Sequence, residues 1–428
     1  MRFLYFVLYY ILNYTLRLYF KNVKVVNKPP KFGKTIFVSN HPAAFMDPLV
    51  IAAFNRAVVY FMTRSDVFNS FTRPIFWIAH MLPIYRQRDG VNTKEKNLAV
   101  FKKCSETLLR NRNLLLFGEG VTDDIFVRRL KQIKKGAIRI GFTALESCDW
   151  KEDIYIAALG CNYSEPSIYR SDLLLINSKP IHLNAYRAEY QENPSKTINL
   201  LTVELQSMLE GTITHVVDIN DTELHENIMR IQRKGMSHFY SNESDLESRH
   251  KHSVELASII QNNPQKLADL KDQLSSYFAN LHRLGINDDL LFDYKSKSFS
   301  GINALGHVLL VPIVLLGLIH CGLFYWPIKI FVERKFSRPA FWGSTKLIMM
   351  IFIAGISNLL VFIFLPDLIG WPFSILYFCC IPFLGHVFHR SFAFWKRTHQ
   401  TYMLSKQSTA SIWNERMELN HKITTFVK

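Results

Sequence analysis

At 428 residues the chain is long enough for two ordinary domains, or for one domain plus membrane segments. With 49% hydrophobic and 20% charged residues it is neither disordered nor fibrous. Its formal charge of +16 calls for an anionic partner, whether nucleic acid, an anionic membrane face or a phosphorylated substrate, and composition does not choose among them.

Residues 2–20 are almost wholly apolar but carry Asn13 and Arg17. A secretory signal would be followed by a small-residue cleavage site, whereas Lys21, Lys24 and Lys28 come next. The segment is expected to be a retained anchor, lying in the interface or spanning poorly, held by its Tyr and Phe side chains. From 34 to 185 short apolar runs recur at 35–39, 58–62, 114–117, 154–159 and 173–177, with helical stretches such as 92–110 and 134–147 between them. Alternation of this kind predicts an α/β domain with a mostly parallel sheet and flanking helices. Residues 194–290 place apolar side chains at helical spacing among charged ones, as amphipathic helices do, with a stop and restart at Asn262-Asn263-Pro264.

The tail holds three apolar blocks, Leu309–Trp326, Leu347–Leu365 and Leu368–Val387. Each approaches the about 20 residues a spanning helix needs. Basic residues precede the first block (Lys295, Lys297), separate it from the second (Lys329, Arg334, Lys335, Arg338, Lys346) and follow the third (Arg390, Lys396, Arg397). Only the turn at Pro366-Asp367 lacks them. The positive-inside rule then makes blocks two and three a spanning hairpin. Block one, with Pro312, His307 and His320, becomes re-entrant or interfacial. The resulting division is an N-terminal membrane anchor (1–32), an α/β domain (33–190), an amphipathic helical region (191–298), and membrane helices with a basic tail (299–428). The six cysteines show no Cys-x-x-Cys pair or metal-finger spacing and read as reduced packing residues.

Chemistry-bearing residues concentrate in four places. In Ser39-Asn40-His41-Pro42-Ala43-Ala44-Phe45-Met46-Asp47 a polar Asn-His opens the loop at a strand's carboxyl end, where open α/β sheets place their ligands. Asp47 can hold one ring nitrogen of His41 across the turn and leave the other as a general base. Pro83-Ile84-Tyr85-Arg86-Gln87-Arg88-Asp89 offers two guanidinium groups, the side chains suited to bidentate phosphate recognition. Phe117-Gly118-Glu119-Gly120 displays a carboxylate between glycines that let the backbone approach a ligand, and Gly160-Cys161-Asn162-Tyr163 ends another strand.

In this order the four resemble the motifs of the phospholipid/glycerol acyltransferase superfamily. The six-residue step from His41 to Asp47, one longer than the commonest form, is similar to the glycerol-3-phosphate and dihydroxyacetone-phosphate acyltransferase branch. So is the Pro-x-x-Arg-x-x-Asp segment at 83–89. The resemblance runs on through Leu130–Ala137 to Gly285-Ile286-Asn287-Asp288, and so covers roughly residues 33–290. Two departures stand out: Gly118 replaces the usual proline of the third motif, and Ala157-Ala158 replaces a proline of the fourth.

The resemblance implies a membrane-bound O-acyltransferase of phospholipid synthesis, with 33–190 as its acyltransferase domain. It would move an acyl group from a thioester donor, acyl-CoA or an acyl carrier protein thioester, with no metal or bound cofactor. His41 would be the base and Asp47 its orienting partner. Arg86 and Arg88 would bind the acceptor phosphate, Glu119 and Gly120 would position the acceptor, and Asn40 would join the substrate-binding set. Lys134 and Lys135 are further candidates for a phosphate or headgroup. The acceptor would be glycerol-3-phosphate or, alternatively, its 1-acyl derivative, lysophosphatidate. The partners are these lipids and the membrane, with the catalytic domain on the cytoplasmic face. A nucleic-acid binder would explain the charge, but the chain has no matching motif and its apolar tail contradicts one. A non-catalytic scaffold that kept the fold would normally have lost His41 or Asp47.

Overall fold

The computed structural model describes residues 2–29, 33–55, 59–70, 72–85, 93–238, 245–296, 301–406 and 408–427. Two compact units emerge, Met1–Ile219 with Glu243–Ala257, and Asn220–Asn242 with Ser258–Lys428.

The first unit begins with helix α1 (Arg2–Tyr19) and strand β1 (Asn22–Val26), the latter within the stretch assigned to the anchor. Then come β2 (Thr35–Ser39), α2 (Met46–Val50) running into a π-helical turn (Ile51–Asn55), β3 (Val59–Arg64), α3 (Thr72–Ile78) and β4 (Met81–Ile84). Next are α4 (Thr93–Leu109), β5 (Asn113–Phe117), α5 (Gly136–Ser147), β6 (Tyr155–Tyr163), β7 (Asp172–Asn177), β8 (Ile181–His182), α6 (Arg187–Glu192) and α7 (Pro194–Glu210). The sheet order is β1-β7-β6-β2-β5-β3-β4, with β8 paired to β6. Pairing is parallel except where β6 meets β7 and β8. This is the mostly parallel α/β architecture with flanking helices that the sequence predicts.

Its causes are local. β2, β5 and β6 carry continuous apolar runs because helices cover both faces of the central strands. Pro83 is tolerated because β4 lies at the edge of the sheet. Ile36, Val38, Leu114, Leu116, Ile156 and Ala158 pack with Ile138, Phe142 and Leu145 of α5 and Leu201, Leu205 and Leu209 of α7 in one core. Each large side chain so buried stabilises by about 1.5–3 kcal/mol, so packing, not the polar site, holds the sheet in place. Asp172 ties β7 to β1 through Asn22 (2.7 Å) and to Arg249 (2.6 Å) of helix α9 (Leu246–Asn262).

Helix α1 divides its apolar residues between two faces. Tyr5, Leu16 and Tyr19 are buried, while Phe3, Leu4, Phe6, Tyr10, Ile11 and Tyr14 are exposed. Asn13 donates to the Ala53 carbonyl (2.7 Å), fixing the helix on the π-helical turn. Among the described residues three helices are long and apolar enough to cross a membrane, and α1 is not one of them.

The second unit holds α8 (Thr222–Gln232), α10 (Pro264–Arg283), α11 (Asp288–Ser296), α12 (Gly301–Leu309), α13 (Val311–Gly317), a π-helical turn (Leu318–Gly322) and α14 (Leu323–Lys335). It continues with α15 (Trp342–Phe364), α16 (Pro366–Ile369), α17 (Trp371–Ser405) and α18 (Ala410–Val427). Asn263 stands between α9 and α10, where the sequence sets the restart. Arg416 of α18, 1% exposed, grips Asp288 through two bonds of 2.8 and 3.0 Å and donates to the Ile231 carbonyl; Tyr277 donates to the same carboxylate.

The three candidate spans are Val311–Lys335, Pro339–Ile369 and Trp371–Ser405. The last two form the expected hairpin, with Phe362 against Trp371 and Phe378. Block one, expected to be re-entrant or interfacial, is helical from Val311 to Lys335 and does not fold back on itself. Pro312 lacks the N–H that would bond Val308, which breaks the helix at Leu310, yet helix resumes and runs to Lys335. A Cβ on Gly317 would lie 2.3 Å from the Leu384 carbonyl, so α13 meets α17 at backbone distance. The π-helical turn places His320 between Asn358 and Tyr377. The Asn358 Oδ1 acceptor requires Nδ1 to donate, and Nε2 then accepts the Tyr377 hydroxyl (2.7 Å). Every polar atom of this trio finds a partner among apolar helices, as burial there demands.

Two predictions follow from this unit. Residues 337 and 367 lie beyond opposite ends of α15, whose 23 residues span about 35 Å. Single cysteines replacing Ser337 or Asp367, without the six native cysteines, should differ in labelling by an impermeant thiol reagent on sealed vesicles. Equal labelling of both would show that α15 does not cross. Separately, burial, then the neighbouring Asp288, raises the Asp289 carboxyl to about 7 from an ordinary 3.8. The folded state therefore holds that proton more tightly, and the stabilisation fades as pH rises from about 4 through 7. Asp289→Asn should flatten the rise in melting temperature between pH 8 and pH 5; an unchanged slope would remove Asp289 as its cause.

Candidate active site

β2 ends at Ser39 between β5 and β6, and the loop that follows carries the first motif. Asn40 is buried, and both ends of its amide engage β6. Its Oδ1 accepts from the Cys161 N–H (2.8 Å) and its Nδ2 donates to the Cys161 carbonyl (3.1 Å). The side chain thus extends the β2–β6 ladder and fixes where the loop leaves the sheet.

Beyond it the loop folds back. Ala44 sits in the left-handed region (φ 47°), a conformation that L residues adopt at a cost. That turn accommodates the long six-residue step and brings Asp47, at the start of α2, under His41. His41 Nδ1 lies 2.8 Å from Asp47 Oδ2, which also accepts the Ala43 N–H at 2.9 Å. Because the carboxylate is the acceptor, Nδ1 carries the proton and the lone pair lies on Nε2. The imidazole stacks on Phe117 of β5 at 4.0 Å. The His41 side chain is 20% exposed while that of Asp47 is wholly buried, so a substrate can reach the imidazole and not the acid.

Glu119 bridges two segments. Its Oε1 accepts the His41 backbone N–H (2.8 Å) and its Oε2 the Lys131 N–H (3.1 Å). Burial raises its carboxyl above the ordinary value, against these two hydrogen bonds that lower it. Gly120 is required by its φ of +70°, and the flexible Lys134 ammonium lies 2.8 Å from where a Cβ would stand. The Lys134 charge therefore sits beside the turn that Glu119 starts, and Lys135 is exposed one residue on.

Both departures from the resembled motifs have local reasons. A Cβ on Gly118 would fall 2.7 Å from Ile133 Cγ2, leaving no room for a proline ring. The Ala158 N–H donates to Ser178 Oγ at 2.9 Å, a bond that proline at 158 would forfeit.

Arg86 and Arg88 lie outside the described residues. β4, which precedes them, runs parallel to β3, so the chain leaves it at the sheet edge that carries His41. Sequence reasoning passed over Tyr163 and Arg128. Tyr163, the last residue of β6, donates to Asp47 Oδ1 at 2.8 Å, and Arg128 donates to the Tyr163 carbonyl at 2.7 Å. The only signal for Tyr163 was its place at a strand end within the fourth motif. Among the described residues no three His, Cys, Asp or Glu side chains gather closely enough to hold a metal ion.

Fold and site together define an α/β unit that presents an acid-backed imidazole at the carboxyl edge of a mostly parallel sheet, in a chain with three helices able to cross a membrane. No family model and no curated protein matches the chain. Among solved structures it is similar to the crystal structure of the 1-acyl-sn-glycerophosphate (LPA) acyltransferase PlsC from Thermotoga maritima. Identity is 15%, the match covers 47% of this chain and 80% of that one, and the TM-score is 0.31. A likeness that loose says nothing of individual residues.

Glu119→Gln would set an amide donor against one of the two backbone N–H groups. The loss should be about 1–3 kcal/mol, read as a lower melting temperature of the solubilised protein. An unchanged melting temperature would show that the bridge contributes nothing.

Proposed function

We propose that the chain is a membrane-bound O-acyltransferase that moves an acyl group from a thioester donor, acyl-CoA or an acyl carrier protein thioester, to a phosphate-bearing glycerol acceptor. The observation that carries this reading is the His41–Asp47 pair, with Nδ1 committed to a buried carboxylate and the ring itself partly exposed. Nε2 takes the proton from the acceptor hydroxyl as its oxygen attacks the thioester carbonyl. Asp47 stabilises the imidazolium so formed. When the tetrahedral intermediate collapses, the carbon–sulfur bond breaks and the imidazolium returns the proton to the departing thiolate. The products are an ester and a free thiol.

Recognition of the acceptor phosphate falls to Arg86, Arg88 and Lys134, whose ammonium lies beside Gly120. Glu119 and Asn40 act through backbone groups, holding the His41 loop rather than the substrate. The motif spacing favours glycerol-3-phosphate as acceptor. The exposed apolar face of α1 favours a second reading, lysophosphatidate, because it keeps the unit at the bilayer where such a lipid resides. We place the unit on the cytoplasmic face, with its thioester donor. A crossing by Val311–Lys335 would then put the basic residues after it outside, against the positive-inside rule.

Membrane fractions supplied with acyl-CoA should acylate glycerol-3-phosphate, lysophosphatidate or both, and the ratio of rates identifies the acceptor. His41→Ala should lower turnover by about two to four orders of magnitude with membrane extraction little changed. Retention of a tenth of the wild-type rate would remove His41 from the chemistry.

A further inference from the structure

The Asp47 carboxylate has a third donor besides His41 and the Ala43 amide. Tyr163 is wholly buried at the end of β6, 116 residues along the chain, and its hydroxyl donates to Asp47 Oδ1 at 2.8 Å. Its backbone is anchored, the carbonyl accepting from Arg128 at 2.7 Å, and its ring packs against Phe20 and edge-on to Phe126. Burial, then the adjacent Asp47 charge, pushes the phenol far above its ordinary value, so it remains a donor at every working pH.

We propose that Tyr163 is a positioning residue of the acyl transfer: its hydroxyl holds the Asp47 carboxylate in register with His41 and moderates the negative charge that Asp47 presents to the imidazole. The inference rests on the acyltransferase reading. A donor on Oδ1 stops the carboxylate from rotating and draws negative charge away from Oδ2, which faces the imidazole. Without it Asp47 stabilises the imidazolium more strongly, and the imidazole gives up its proton only at higher pH. Among the described residues, the other charged or titratable groups around the pair are Glu119, which accepts the His41 amide, Lys131 on the far side of that carboxylate, Lys134 at Gly120, and the buried Cys161 thiol near Asp47. Tyr163→Phe leaves all four in place.

The test is the pH profile of kcat/KM for the full chain in detergent, with acyl-CoA and whichever acceptor the membrane assay selects. Tyr163→Phe should lower kcat about tenfold, with KM for both substrates little changed, as expected for one charge-assisted hydrogen bond. The acid limb of the profile should rise by about half a pH unit or more. 3-Fluorotyrosine at 163, close to isosteric and a stronger donor, should move the limb the other way even if Tyr163→Phe folds poorly. A limb that neither replacement moves overturns the proposal, even if the rate falls. If His41→Ala keeps wild-type turnover, the acyltransferase reading itself fails. If His41→Ala is inactive and the limb stays fixed, only the role of Tyr163 is lost.

Discussion

The candidate site depends on one wholly buried carboxylate. A lone charge as deeply enclosed as Asp47 costs several kcal/mol. It is tolerated because both oxygens are occupied, Oδ2 by His41 and the Ala43 amide and Oδ1 by Tyr163. These donors come from the loop after β2 and from the end of β6, so satisfying the acid fixes two strand ends relative to each other. Asn40, reaching the same strand at Cys161, adds a second tie between β2 and β6. The imidazole is aimed by the same bonds that make the charge bearable.

Glu119 performs a similar task one strand away. With one oxygen on the His41 backbone and the other on Lys131, it links the end of β5 to the loop on the far side of Gly120. Its place in the sequence, between two glycines at a strand end, invites reading as a displayed acid. The structure turns that acid inward onto backbone amides. A carboxylate pinned by two N–H groups is well suited to holding a loop and poorly placed to exchange protons.

Much of this was legible in the sequence, for physical reasons that differ from place to place. β2, β5, β6 and β7 were visible because central strands buried on both faces need unbroken apolar runs. β1 was not, since Lys24 interrupts it and its partner β7 lies 150 residues away. The loop carrying His41 and Asp47 could be read because both lie on one short segment, whereas the Tyr163 contact depends on strand order. In the tail, hydropathy and charge gave the hairpin of α15 and α17. From the charge of the flanks they also predicted a re-entrant or interfacial first block, with Pro312 permitting a break; the chain resumes its helix after that proline and continues to Lys335.

The length of α17 has a mechanical consequence. Its 35 residues extend about 52 Å, against a hydrocarbon layer of about 30 Å. The last turns therefore stand clear of the lipid, and there Arg397 is paired with Asp293 of α11. Pro382 lies within the helix between these last turns and its apolar start, so a bend there would change the angle at which the far end meets α11. A helix longer than the hydrocarbon layer matches a thinner or thicker bilayer by tilting, and in α17 such a tilt would load the Arg397–Asp293 pair.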